Sequence, residues 1–176
     1  MKDLTMRFLL GLLFSLFIFT PAFADDMKIT VAGLSCGSAL PELYTCDSTG
    51  FSPTIKWENA SPKAKSLALL VIDPDAPMGT VIHWFIFNIP PTTKELSKGI
   101  TNYPKGTVVG KNTGGNFGWK APCPPANAPK HHYLFTLYTL DKKLDLSANA
   151  TVDAFKEAMH GHVLDQAEAT LNYQRK

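Results

Sequence analysis

From residue 25 onward, short apolar runs alternate with clusters of Gly, Pro, Ser and Asn, the punctuation expected between strands. Ile29 to Val31, Thr54 to Trp57, Leu67 to Ile72, Val81 to Ile89 and His132 to Leu140 are rich in β-branched and aromatic residues, so each predicts a strand. The run LALLVI is continuously apolar, which suits a strand covered on both faces. In the next run, strict alternation puts His83, Phe85 and Phe87 on one face and Trp84, Ile86 and Asn88 on the other. Both faces are bulky, so this strand is also central. One segment has helical spacing: Val152, Phe155 and Met159 share a face within Val152 to His160, with Asn149 or Thr151 as cap and Gly161 as a stop. Residues 91–130 are irregular, rich in Gly, Pro and Asn, with Val108 and Val109 as a short strand; long segments of this kind usually carry function or move. The pattern predicts a single mainly β domain with one or two short helices near the C-terminus, no internal repeat and no second domain.

The first 24 residues follow another logic. Lys2 and Arg7 precede the apolar run Leu9 to Phe19, and Ala22-Phe23-Ala24 supplies an A-x-A cleavage pattern before Asp25. That is the pattern of a signal peptide over residues 1–24, leaving a mature domain of residues 25–176. The apolar run falls short of the roughly 20 residues of a spanning helix, so no stable membrane insertion is expected after cleavage, and the location expected is periplasmic or secreted. Removing Lys2, Arg7 and Asp3 turns 17 basic and 15 acidic side chains into 15 and 14, a net charge of +1. Such a balance, with scattered lysines, argues against a nucleic-acid partner. The chain has three cysteines, Cys36, Cys46 and Cys123. In an oxidising compartment one disulfide is expected. The short loop between Cys36 and Cys46 favours that pair over the other two.

The chemistry concentrates in three places. Asp73-Pro74-Asp75-Ala76-Pro77 leaves the LALLVI strand as a stiff elbow, because each proline fixes its own φ and restricts the residue before it. Its acids either hold a turn through backbone N–H groups or face a ligand. His83 follows after a hairpin-length connection that can bring it beside Asp73 or Asp75, where a carboxylate would orient the ring and favour its protonated form. In the strand His131-His132-Tyr133, His131 and Tyr133 share a face while His132 points away, so the two histidines do not chelate, and His131 with Tyr133 offers donors to an anion. Gly114-Gly115-Asn116-Phe117-Gly118 could approach an anion with its backbone, but it is no phosphate-binding P-loop. The chain has no G-x-S-x-G elbow, no H-E-x-x-H and no paired C-x-x-C. A Cys123 nucleophile with His131 as base lacks an evident third orienting residue, and a metal held by Asp73, Asp75, His83 and His131 is allowed by ligand type but not marked by spacing. No catalytic residues, no metal and no cofactor are expected.

Together these motifs resemble the phosphatidylethanolamine-binding protein family, and within it the bacterial, Raf-kinase-inhibitor-like branch. The resemblance is carried by DPDAP at 73–77, HWFIFNIP at 83–90, PCPP at 122–125, HHYLFTLYTLD at 131–141 and AMHGHVLDQAEATLNY at 158–173. It implies a large central antiparallel sheet packed on a smaller sheet, with a short C-terminal helix. It also implies an anion pocket at one end of the sheet, lined by Asp73, Asp75, His83, Pro122, His131 and Tyr133, for phosphate-like groups such as a phosphoethanolamine head. One departure stands beside PCPP: the family usually has Gly-Gly where this chain has Lys120-Ala121, and a positive φ at Ala121 would be costly.

The function expected is therefore that of an exported, non-enzymatic protein binding a small phosphate-bearing or zwitterionic ligand, with an inhibitory or modulating role toward an extracytoplasmic protein partner. The alternatives are a hydrolase built on His83, His131 and Asp73, and a pure interaction scaffold whose pocket binds nothing.

Overall fold

The computed structural model describes residues 25–176. The predicted leader, residues 1–24, lies outside the described residues. In chain order the strands are β1 (Lys28–Val31), β2 (Ile55–Glu58), β3 (Ser66–Asp73), β4 (Val81–Ile89), β5 (Glu95–Leu96), β6 (Val108–Val109) and β7 (His131–Leu140). Helix α1 (Val152–Met159) and β8 (Val163–Tyr173) follow. A five-stranded antiparallel sheet has the order β6-β4-β3-β7-β8, and a three-stranded one has the order β1-β2-β5. The fold is the predicted one: mainly β, two packed sheets, one short helix near the C-terminus.

The continuous apolar run reads correctly as a doubly covered strand. Leu67, Leu69 and Val71 enter the core shared with Ile55, Trp57 and Leu96 of the small sheet. Ala68 and Leu70 enter a second core with Phe85, Phe87, Phe155 and Met159, beneath α1. Burying one such side chain is worth about 1.5–3 kcal/mol, so α1 is held chiefly by Phe155 and Met159. Its cap is Thr151, whose hydroxyl accepts from the Ala154 N–H at 3.1 Å. Two strands were not marked by the pattern, the two-residue β5 and the long β8, the partner of β7 from His131↔Tyr173 to Leu140↔Val163. Its polar residues Asp165, Gln166, Glu168 and Asn172 mask the alternation. The outer side of β8 is covered in turn, because Leu40 N–H donates to the Asn172 carbonyl (2.7 Å) and Gly37 N–H to that of Thr170 (2.6 Å), which blunts an edge open to aggregation.

Two irregularities shape β4. Its pairing with β3 slips between Val71 and Ile72, so that Val71 faces Trp84 while Ile72 faces Ile82. His83 is the extra residue of this bulge. A second slip lies between Leu67 and Leu69, where Asn88 takes φ 57° and spans to Leu144 with two hydrogen bonds of 2.8 and 2.9 Å.

The disulfide expectation is overturned. Cys46 bonds Cys123 across a Cα separation of 5.3 Å, and Cys36 is exposed and unpaired. Proximity in sequence was the wrong guide; the long 91–130 segment folds back to lay Cys123 against Cys46, where Cys46 N–H also donates to the Pro122 carbonyl at 3.0 Å. The same bond removes the free Cys123 thiol that a nucleophile would need.

Candidate functional site

The C-terminal end of β3 and the N-terminal ends of β4 and β7 meet at one end of the large sheet. There a cavity of about 250 Å³ is lined by Asp73, Ala76, Pro77, Met78, Val81, His83, Lys120, Cys123, Pro124, Pro125 and His131. That is slightly below the range of roughly 300–1,000 Å³ typical of pockets for drug-sized ligands. A volume of this size suits a small group.

Asp73, at the end of β3, is buried and doubly engaged. Its Oδ1 accepts from the Asp75 N–H at 2.9 Å, and its Oδ2 accepts from His131 Nδ1 at 2.8 Å. The elbow between the prolines thus both closes a turn and orients a histidine. That bond leaves His131 Nε2 as its free ring nitrogen.

His83 is also buried, and Nδ1–H donates to the Lys120 carbonyl at 2.7 Å, while Lys120 N–H donates back to the His83 carbonyl at 2.8 Å. Strict alternation would have sent His83 toward α1 with Phe85 and Phe87. The bulge turns it instead to the other face, where it lies edge-on to Tyr133 at 5.2 Å and tilted against Trp119 at 6.1 Å. Bulges recur beside active sites for this reason. Burial holds the His83 imidazole below its ordinary pKa, partly opposed by the Lys120 carbonyl and by Asp73. Tyr133 is buried too, and burial pushes its phenol well above its usual range, so it keeps its proton. His83 Nε2 and Tyr133 Oη are both buried with no hydrogen-bond partner in the protein. Such orphaned groups cost about 1–3 kcal/mol each.

Of the six residues named from sequence, Asp73, His83 and His131 line the cavity and Tyr133 packs behind His83. Asp75 faces away: its Oδ2 accepts from His132 N–H (2.8 Å) and Nδ1 (2.7 Å), and the His132 hydrogen bonds hold its carboxyl below the usual range. Pro122 is buried behind the wall, its carbonyl engaged by Cys46. The wall itself is the next three residues, Cys123 to Pro125. Met78 and Val81 extend the elbow's Ala76 and Pro77 into an apolar collar, and the sequence marks them only through the hairpin that the DPDAP prolines begin. The Gly114–Gly118 loop does not present its N–H groups to a ligand. Asn112 Oδ1 accepts from Gly114 N–H at 2.9 Å, and Asn112 Nδ2 donates to the Gly118 carbonyl at 3.0 Å, so a side chain occupies the nest. Nor does Ala121 adopt a positive φ, which removes the cost expected at Lys120-Ala121. Among the described residues no three His, Cys, Asp or Glu side chains gather as metal ligands, and no helix there is long and apolar enough to cross a membrane.

The profile of the phosphatidylethanolamine-binding protein family matches residues 30–174. The chain belongs to that family. It is 43% identical over 139 residues to a UPF0098 protein of Methanothermobacter thermautotrophicus, covering 77% of this chain and 91% of that one. It is 36% identical over 154 residues to a UPF0098 protein of Chlamydia trachomatis, covering 85% and 99%. Among solved structures it is similar to a phosphatidylethanolamine-binding protein homolog from Chlamydia trachomatis, with TM-score 0.79, 36% identity and coverage of 86% and 99%. It is also similar to the family member YbcL of E. coli, with TM-score 0.80, 28% identity and coverage of 86% and 100%. Membership in the phosphatidylethanolamine-binding protein family implies a fold built to bind an anion or phospholipid head group. A second depression, of about 530 Å³, is more open and is lined by Phe51, Ser52, Gly99, Tyr103, Phe117 and Trp119 among others. It has no carboxylate, imidazole or ammonium in its lining.

Proposed function

We propose that this protein is an exported receptor for a small phosphate-bearing group, held in the cavity between the DPDAP elbow and the Cys123–Pro125 wall and released unchanged. The observation that carries this reading is the pair of orphaned polar atoms, His83 Nε2 and Tyr133 Oη, buried on neighbouring rings beside the cavity. Both become satisfied when an anion's oxygens reach them: Tyr133 as an O–H donor, His83 as a donor once it carries a second proton. His131 Nε2 supplies a further contact. Binding without turnover is the reading favoured by a cavity whose one cysteine, Cys123, is bound in a disulfide. Export is supported by two features, the leader-like first 24 residues and a disulfide of the kind that persists in oxidising compartments. A bound anion would then serve as the signal by which the pocket rim and the 91–130 segment act on a protein partner outside the cytoplasm.

The test is an NMR titration of the purified protein with inorganic phosphate, following the histidine ring signals. Saturable shifts at His83 and His131, lost in Asp73→Ala, are the expected result. Their absence at millimolar phosphate would sink the reading. Phosphate release from phenyl phosphate, abolished by His83→Ala, would establish a hydrolase instead.

A further inference from the structure

Lys120 stands where the charge of the pocket is decided. Its peptide group is bonded to His83 in both directions, at 2.7 and 2.8 Å, so its position is tied to the ring that binds. Its side chain is half-buried, and the ammonium stands over Gly114, where a Cβ would meet Nζ at 3.6 Å. Lys120 belongs to none of the ion pairs among the described residues. It is therefore a cation among the lining residues that forms no ion pair there.

The acids offer no counterweight. Asp75 is turned outward to His132, which leaves Asp73 as the one carboxylate in the lining. Each of its oxygens already accepts a hydrogen bond, from Asp75 N–H and from His131 Nδ1. An amine entering this cavity meets a lysine and a carboxylate already engaged. A doubly negative phosphate meets the same engaged carboxylate, but with the unpaired lysine and the ring nitrogens of His83 and His131 beside it. The rest of the wall is apolar: Ala76, Pro77, Val81, Pro124, Pro125 and Met78, the last fully exposed and thus at the mouth.

Resting on the anion-pocket reading above, we propose that this pocket selects a phosphate monoester bearing an apolar group over an amine-bearing zwitterion, and that Lys120 sets the preference. A monoester is almost doubly charged near neutral pH, with a second pKa of about 6. Lys120 matches the second charge, and Met78 with the prolines covers the substituent. Methionine suits such a mouth because its flexible thioether adapts to differing shapes.

The experiment is calorimetric titration of the purified protein at pH 7.5 with phenyl phosphate, inorganic phosphate and phosphoethanolamine. The expected order is phenyl phosphate tightest and phosphoethanolamine weakest. Lys120→Ala should weaken phenyl phosphate and phosphate about tenfold, the scale of one charge-assisted hydrogen bond, and phosphoethanolamine by less. Lys120→Arg should keep most of the affinity, and Met78→Ser should narrow the advantage of phenyl phosphate over phosphate. Tighter binding of phosphoethanolamine by the wild-type protein, or an equal loss for all three ligands in Lys120→Ala with the fold retained by circular dichroism, would overturn the proposal and leave the anion pocket standing. Failure of all three to bind the wild-type protein would overturn the pocket reading itself. Phosphatidylcholine vesicles containing phosphatidic acid distinguish the sources. Sedimentation of the protein with them, lost in Lys120→Ala, assigns a lipid-borne monoester; binding of phenyl phosphate without sedimentation assigns a soluble one.

Discussion

At the scale of the residue, His83 carries the greatest tension. It is buried with one ring nitrogen bonded to a carbonyl and the other bonded to nothing, and burial depresses its pKa below the ordinary 6.5. A depressed imidazole is one that the folded state prefers neutral. Above about pH 6.5 the folded and unfolded chains both carry it neutral, and its contribution to stability is fully present. As the pH falls below that value the unfolded chain takes up a proton that the folded site resists, so stability is lost down to the folded pKa. The charged or titratable groups around the ring are Asp73 on the neighbouring strand β3, His131 and Tyr133 on β7, and Lys120 on the long segment. Urea midpoints measured between pH 7.5 and 5 should fall more in the wild-type protein than in His83→Gln. Sulfate, whose own charge does not change in this range, should recover part of the loss, because an anion at Nε2 favours the imidazolium.

At the scale of the element, β4 shows how a strand can serve both a core and a site. Two bulges break its alternation, and each has a purpose the packing reveals. The first gives His83 to the pocket while Phe85 and Phe87 stay beneath α1. The second turns at Asn88, in a left-handed conformation that Asn tolerates better than most residues, and its side chain holds the Leu144 peptide through both N–H and carbonyl. Asn88→Ala removes both bonds and leaves alanine at φ 57°, and the expected loss is about 2–4 kcal/mol from unsatisfied buried groups and backbone strain. Asn88→Gly relieves the strain alone and should lose less. Guanidinium denaturation of the two variants checks the order; equal losses would show that the backbone conformation contributes nothing.

At the scale of the whole molecule, the Cys46–Cys123 bond joins residues 77 apart in sequence and fastens the pocket wall to the turn that follows a single 3-10 turn, Glu42–Tyr44. The turn is anchored again from the far end of the chain, since Tyr173 Oη donates to Asp47 Oδ2 at 2.6 Å and Arg175 Nε to Asp47 Oδ1 at 2.8 Å. Opening a loop of this length costs about 2–5 kcal/mol of stability. Because Cys123 lines the cavity, reduction should also weaken anion binding. Thermal melts and phosphate titrations of Cys46→Ser/Cys123→Ser should show both losses; a lower melting temperature with unchanged affinity would mean that the wall holds its shape without the bond.

Much of this was legible in the chain because it rests on local pattern. Apolar runs, turn residues and the 73–77 elbow determined the strands, the doubly covered β3, helix α1 and the face shared by His131 and Tyr133, since strand periodicity and proline stereochemistry act within a few residues. The motifs in their order determined the family. What tertiary structure alone decided lies where distant segments meet or where alternation fails. The sulfur partner of Cys46 depended on how residues 91–130 return to the sheet, a matter of loop path that spacing does not encode. Strand β8 needed β7 beside it, because its polar face hides its period. Asp75 was claimed by His132 across the strand ends rather than by the cavity. His83 reaches the pocket only because β3 and β4 pair with a slip. A bulge is a property of two paired strands, and one strand read alone cannot contain it.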